Sequence, residues 1–409
     1  MPTITDATTG DAPAPSRSDA PPHGAGLAEL GLALGGFALG TGEFASMGLL
    51  PNVARDVHVS VPVAGHMISA YALGVVIGAP LLAAVFARTG RRAMLMGLMA
   101  FFAMANLLCA VAASYGLIVA ARFLAGLPHG AYFGIASLVA ASLVPPDRRA
   151  QAVARMMLGL SSANIVGVPF ATWVGQVAGW RAAFVVVAAI GLATALLCRL
   201  ALNPMPAPDN ASPLTELGAL KRGQVWLTLG IAAIGFGGVF AVYSYITPML
   251  TVVTGMGEAH VPLVLSVIGM GMVAGSLFGG WLADRGVMRA IWITLLLNVV
   301  TLGLVAVTAH NVVAVTINMF FVGFAALSMG PALQTRLMDI AADAQALAAS
   351  LNHSAFNMAN ALGAWLGGVA IAAGLGWTST GPIGAMLALG GLAIWAVAWR
   401  TARGTPAAA

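Results

Sequence analysis

The stretch GGFALGTGEFASMGLLP, residues 35–51, lies inside the first long apolar run of the chain. It carries one acid, Glu43, with no other ionisable side chain between Glu29 and Arg55. At about 1.5 Å rise per residue, a helix over residues 27–53 is long enough to cross a bilayer core of about 30 Å. Glu43 then falls inside the hydrocarbon zone, about 15 Å from the outer end of the helix. A carboxylate there is costly, so it must face a water-filled cavity or a partner, and it is a candidate to take up and release protons.

The rest of the chain has the same character. Of 409 residues 60% are apolar and 8% charged, and the mean hydropathy is +0.93. Soluble domains carry about 25% charged residues, so the composition is that of a polytopic membrane protein. The 50 glycines suit helices whose backbones approach closely within a membrane. The formal net charge is +5, but the basic residues are scattered between apolar runs and form no stripe that would bind nucleic acid. Cys109 and Cys198 sit in apolar segments without metal-ligand spacing, so neither a metal site nor a disulfide is expected. Residues 1–26, rich in Pro, Ala, Ser and Asp, lack the basic start and immediate apolar core of a signal peptide and read as a disordered cytoplasmic tail.

Apolar segments of spanning length recur at 27–53, 61–86, 93–113, 117–143, 154–177, 182–201, 226–253, 261–283, 290–309, 312–334, 348–374 and 379–399. Continuous runs of this length are helices, because a barrel strand needs only about 9–11 alternating residues. Arg88, Arg91, Arg92, Arg148, Arg149, Arg155, Lys221, Arg222, Arg285, Arg289, Arg336 and Arg400 fall on the side of the N-terminus, and Arg55 and Arg181 on the other. The positive-inside rule therefore puts both termini in the cytoplasm. The expected layout is an all-α integral membrane protein of twelve transmembrane helices. A six-helix bundle over 27–201 is joined by a cytoplasmic linker, 202–225, to a second over 226–400, and 401–409 form a short tail.

The halves read as duplicated. Pro51 and Pro248, Arg88 and Arg285, and Trp180 and Trp377 each lie 197 residues apart, and Ala163-Asn164-x-x-Gly167 recurs as Ala359-Asn360-x-x-Gly363 at 196. Matches at nearly one offset, each at the same place in its half, argue for a repeat. Two parallel repeats with a site at their interface is the layout of a secondary transporter.

The residues themselves resemble the major facilitator superfamily, in particular its twelve-helix drug:proton antiporters, which include the bacterial arabinose-efflux-like permeases. The resemblance runs from Leu27 to Arg400 and rests on GTGEFASMGLLP, on YALGVVIGAPLL leading to ARTGRR, on RFLAGLPHGAYFG, and on GLSSANIVGVPFATWVGQVAGWR. It implies two pseudo-symmetric six-helix bundles. The family's loop after the second helix, Gly-x-x-x-Asp-Arg-x-Gly-Arg-Arg, is matched at Arg88, Gly90, Arg91 and Arg92, with Ala83 and Ala87 in place of the glycine and the acid. Its second copy keeps Asp284 and Arg285. The resemblance implies a charge-paired lock at these loops, with ordinary positive-inside anchors as the plainer alternative. Arg122 and Gly126 fit the family's fourth-helix pattern. Gly159, Gly167, Pro169 and Gly175 resemble the antiporter signature of the fifth helix, and physically they make a kinked face of small residues suited to close packing.

Glu43, Arg122, His129 and His353 are the ionisable side chains deep within the predicted spans. The resemblance places the first and fourth helices beside one cavity, so Glu43, Arg122 and His129 are expected to cluster. Burial disfavours the charge of Glu43 and a nearby guanidinium favours it. In this reading Glu43 carries the proton, Arg122 modulates it, and His129 relays protons or touches substrate. The plainer alternative is a static ion pair between the two helices, with each histidine in an interhelical hydrogen bond. At an offset of 197, Glu43 and Arg122 correspond to Phe240 and Met319, so the second half should shape the apolar part of the site. Met47, Tyr132, Phe236, Phe240, Tyr243, Phe320, Phe356, Asn357 and Asn360 are the candidate substrate contacts, an aromatic wall with a few amides.

The function expected is a proton-coupled antiporter exporting a small organic compound such as a drug, sugar or metabolite, with a proton symporter for uptake as the alternative. A membrane enzyme or a sensor is disfavoured, since no paired acids or metal-binding pattern lie in the spans and no soluble domain carries output. No phosphate-binding glycine loop is present, so the proton gradient rather than ATP is the expected energy source and no cofactor is expected. The expected partners are the substrate, protons and lipid, with the chain a monomer in the bacterial inner membrane.

Overall fold

The computed structural model describes residues 25–86, 89–145, 149–205, 222–341 and 345–403. Arg88, Ala87, Arg148, Lys221 and the N-terminal tail as far as residue 24 lie outside the described residues, as does most of the linker.

The helical segments of the described residues group into twelve helices, numbered in chain order. α1 runs Ala25–Gly48 and resumes as Leu50–Asp56, and α2 is Val61–Ala64 followed by His66–Val85. α3 is Arg91–Val111, α4 Tyr115–Ser142, and α5 Arg149–Ser162, continued through a π turn at Ala163–Gly167 into Val168–Ala178. α6 is Trp180–Ala201, and α7 is Gly223–Gly235 with Gly237–Ser244 and Ile246–Pro248. α8 is Val261–Ala283, α9 is Val287–Gly303 with Val305–Thr308, α10 is Val312–Ala341, α11 Gln345–Ala372 and α12 Thr380–Arg403.

Eleven helices among the described residues are long and apolar enough to cross a membrane. α1 is the exception to the expected twelve: its glycines and the acids Glu29 and Glu43 dilute its apolar character, and the chain breaks at Leu49, just before Pro51. Proline at the start of a helical turn removes a donor that has no helical partner anyway, so the helix can restart there. Several helices outrun their predicted ends. α10 continues to Ala341 and α12 to Arg403, so Arg336 and Arg400 sit on final helical turns rather than in loops.

The duplication is written in the packing. In the first half a Cβ on Gly74 would sit 2.2 Å from the carbonyl oxygen of Phe123, and one on Gly126 would sit 2.1 Å from that of Tyr71. The same contacts recur 197 residues on, Gly271 against Phe320 at 2.0 Å and Gly323 against Ile268 at 2.3 Å. Glycine lets α2 meet α4, and α8 meet α10, backbone to backbone, which is how helices gain van der Waals contact where lipid supplies no hydrophobic drive. Gly179 and Gly376, before Trp180 and Trp377, both take positive φ, 88° and 80°. The repeat is not perfect: the π turn at Ala163–Gly167 has regular α-helix as its counterpart in α11.

The two halves meet along α2 with α11 and α5 with α8. Large apolar side chains such as Leu107, Val111, Trp173, Leu277 and Met386 point outward, the surface a lipid solvent requires rather than water. Cys109 and Cys198 are buried as free thiols.

Candidate functional site

Glu43 is 5% exposed, on the face of α1 turned toward the second half. Its Oε1 accepts a hydrogen bond from Asn360 Nδ2 of α11 at 2.9 Å. Its Oε2 lies 3.8 Å from His129 Nδ1, and that nitrogen is 2.9 Å from the Tyr71 hydroxyl of α2. The carboxyl is thus held across the interface by an amide and faces an imidazole just beyond hydrogen-bond reach.

Arg122 lies beside Glu43, as the expected cluster requires, and directs its hydrogen bonds to other groups of α1. Fully buried, it donates from Nη1 to the Gly42 carbonyl at 2.9 Å and from Nη2 to Ser46 Oγ at 3.2 Å, with a longer contact to the Glu43 carbonyl at 3.5 Å. Its guanidinium also lies over the Tyr71 ring, 4.3 Å from the centroid, and 5.6 Å from that of Phe184. The hydrogen bonds go to the main chain and a hydroxyl of α1, not to the Glu43 carboxylate. A planar fork suits that task better than a point charge, because it can grip two acceptors on one helix face. Arg122 and Glu43 are therefore neighbours without being a hydrogen-bonded ion pair.

The aromatic candidates divide. Phe44 stacks on Phe240 at 6.2 Å and meets Tyr243 edge-on at 5.8 Å; Phe240 leads to Phe236 at 5.4 Å, and Phe236 to Phe356 at 4.7 Å. These rings make one wall beside Glu43. Asn357, one turn from Asn360, donates to the His353 carbonyl at 3.0 Å, and its Oδ1, like that of Asn360 and the Tyr243 hydroxyl, is buried without a protein partner. Three polar atoms left open near an aromatic wall can serve a ligand or ordered water.

Tyr132 and Phe320 fall elsewhere, while Met47, one turn from Glu43, is buried in the same apolar cluster as Phe236, Phe240 and Tyr243. Tyr132 donates to the Leu32 carbonyl at 2.8 Å and fills the space above Gly35, pinning α4 to α1. Phe320 pairs with Phe321 at the α8–α10 contact, where its carbonyl abuts Gly271. Phe44, Tyr71 and Ser46 join the site without having been anticipated. Phe44 is the sequence neighbour of Glu43, and Tyr71 was detectable as a hydroxyl inside a span. His353 lies half-buried and stacks on Phe133 at 5.3 Å, below Glu43 toward the arginine-rich end.

The motif residues are mostly packing points. Gly159 faces the Ala33 carbonyl, Gly167 the Thr41 hydroxyl and Gly175 the Leu49 side chain, and Pro169 follows the π turn. Arg285 donates to the Trp281 carbonyl at 2.9 Å and lies over that ring at 3.8 Å, while Asp284 has no ion-pair partner among the described residues. Among the described residues no charge pair forms at this second loop.

Contacts between the halves concentrate toward the end that carries Arg55. Thr247 donates to the Gly48 carbonyl, Ser266 to that of Ile165, and Gln176 to that of Glu258, whose carboxylate also meets Arg55 at 3.4 Å.

Residues 32–341 match the family model of the Major Facilitator Superfamily. The chain belongs to that superfamily. It is 42% identical over 365 residues, 89% of this chain and 93% of the relative, to the inner membrane transport protein YdhP of Escherichia coli K12. It is 33% identical over 363 residues, 88% and 91% of the two chains, to a chloramphenicol resistance protein of Streptomyces lividans. Its fold is similar to that of a bacterial homologue of the human lysosomal transporter Spinster in an inward-facing, unoccupied conformation, with a TM-score of 0.75, 16% identity, and coverage of 95% of this chain and 100% of that one. The protein is a membrane-spanning secondary transporter, not an enzyme.

Proposed function

We propose that the protein is a proton-coupled antiporter of the bacterial inner membrane, exporting a small amphiphilic organic compound, with Glu43 as the proton carrier. The observation that carries this is the buried Glu43 carboxyl bonded across the interface to Asn360. A group placed there is exposed to one side or the other as the six-helix halves rock. Charged, it holds the Asn360 amide; protonated, it holds that amide less strongly, so proton occupancy biases the interface. Substrate seated on the Phe44, Phe240, Phe236 and Phe356 wall would compete for the same amides. That competition couples the two flows. The relatives named for inner membrane transport and for chloramphenicol resistance support membrane location and export.

The present contacts close the end bearing Arg55, the periplasmic end by the positive-inside rule. Arg122 is proposed to hold α1 in register, and His129 with Tyr71 to receive the proton on its way inward.

The test is proton movement in everted membrane vesicles, energised and carrying a pH dye, on adding a panel of drugs and sugars to wild type and to Glu43→Gln. Substrate-evoked proton efflux that is lost in Glu43→Gln supports antiport through this residue. Persistence of the response in the variant would sink the assignment.

A further inference from the structure

A cleft of about 610 Å³ opens between the start of α3 and the end of α6, away from the Glu43 site. We propose that it holds an anionic phospholipid, with the headgroup phosphate between Arg92 and Arg199 and one acyl chain along α3. The inference rests only on the chain spanning a membrane, not on the transported substrate or the coupling ion.

The charge pattern comes first. α3 opens with Arg91 and Arg92, has no acid in its first turn, and its N-cap residue, Gly90, supplies no side-chain acceptor. The start of a helix is already electropositive, so cations there are unfavourably placed unless an anion joins them. Arg92 is held toward the cleft by donating Nη1 to the Leu202 carbonyl at 3.0 Å, at the end of α6. Arg199 reaches in from the last turn of α6, exposed and without a partner among the described residues. No acid among the described residues lines the cleft. Two arginines from two helices thus line one cleft beside the uncapped first turn of α3, a set of donors matched to a phosphate.

The shape selects a lipid over a free anion. Below the arginines, Ala93, Gly97 and Ala100 form an exposed row on one face of α3, with half-buried Met96 beside them. A Cβ on Gly97 would meet nothing within 4 Å, so the row is a shallow channel running from the charged mouth into the apolar surface. Inorganic phosphate would use only the mouth. The mouth lies at the arginine-rich end, where basic pockets between helices meet the anionic lipids of the inner leaflet.

The experiment uses the full-length protein in neutral detergent, following its thermal unfolding midpoint against added phosphatidylglycerol, phosphatidylcholine or inorganic phosphate. Phosphatidylglycerol should raise the midpoint at a lower concentration than phosphatidylcholine. Arg199→Gln breaks no hydrogen bond among the described residues, so it should fold, and each variant is compared with its own lipid-free midpoint. It should raise the phosphatidylglycerol concentration required about fivefold and leave the phosphatidylcholine curve unchanged. Gly97→Leu, which fills the channel, should weaken both lipids. Equal response to the two lipids in wild type, an unchanged response in Arg199→Gln, or inorganic phosphate alone reproducing the phosphatidylglycerol shift would each overturn the proposal.

Discussion

The amide of Asn360 and the carboxyl of Glu43 are 317 residues apart in sequence and 2.9 Å apart in space, joining the two halves at the buried centre of the molecule. A charge-assisted hydrogen bond of this kind contributes about 1.5–3 kcal/mol. Asn360→Ala should therefore reduce concentrative transport by about tenfold or more on the same scale. Glu43→Gln keeps an oxygen for Asn360 and removes only the titration, so substrate exchange without a gradient should survive it while uphill transport is lost. Counterflow and accumulation assays on the two variants separate these outcomes. Equal loss of both activities in Glu43→Gln would point to a structural role.

Arg122 grips the main chain of α1, so its removal should act on the fold before it acts on coupling. Arg122→Ala leaves buried carbonyl groups without their donor and should lower stability by about 3 kcal/mol or more. Arg122→Lys should fall between, since an ammonium cannot hold Gly42 and Ser46 together as the fork does. Thermal unfolding in detergent measures both. A variant with wild-type stability and altered pH dependence of transport would return Arg122 to a role in titration.

Gly269 of α8 lies so close to α5 that a Cβ there would stand 2.4 Å from the Asn164 carbonyl oxygen. Gly269→Val should prevent closure of the end bearing Arg55 without unfolding either half. A cysteine pair at Arg55 and Glu258 should cross-link readily in the parent and several-fold more slowly with Gly269→Val. Unchanged cross-linking would show that the interface can absorb the side chain.

Asp56, at the exposed end of α1, accepts hydrogen bonds from Arg181 and from Trp180 Nε1, the latter at 3.1 Å. These hold its carboxyl below the usual carboxylate range. A depressed value means that the contribution to stability is present above the unfolded value of 3.8 and is lost as pH falls through the folded one. The stability difference between wild type and Asp56→Asn should be small at neutral pH, as for any exposed pair, and vanish in acid. A difference that grows on acidification would contradict the assignment.

Composition and periodicity made the helical architecture legible, because runs of spanning length leave few alternatives in lipid. The repeat was legible from Trp180 and Trp377, and the structure extends it to the glycine contacts at 74 and 271. Glu43 stood out because charge inside a span is rare and costly. What could not be read was rotation about helix axes. Nothing in the sequence distinguishes Phe320, which packs α10 on α8, from Phe356, which joins the wall beside Glu43. Asn360 was a candidate for its chemistry, but its pairing with Glu43 depends on how α11 is turned against α1. Arg122 shows the same limit: its place beside Glu43 was readable from its charge, but not that its hydrogen bonds go to the Gly42 carbonyl and the Ser46 hydroxyl.

The approach of Gly269 to the Asn164 carbonyl bears on how such a protein can diversify. A seam with room for hydrogen alone behaves as a bearing, whose surfaces can turn on each other but cannot be padded. The aromatic wall beside Glu43 meets mainly other rings, side chain against side chain, so a change in one can be answered by a change in its neighbour. If that wall is the substrate surface proposed above, selectivity can drift in this chain while the seam at Gly269 stays fixed.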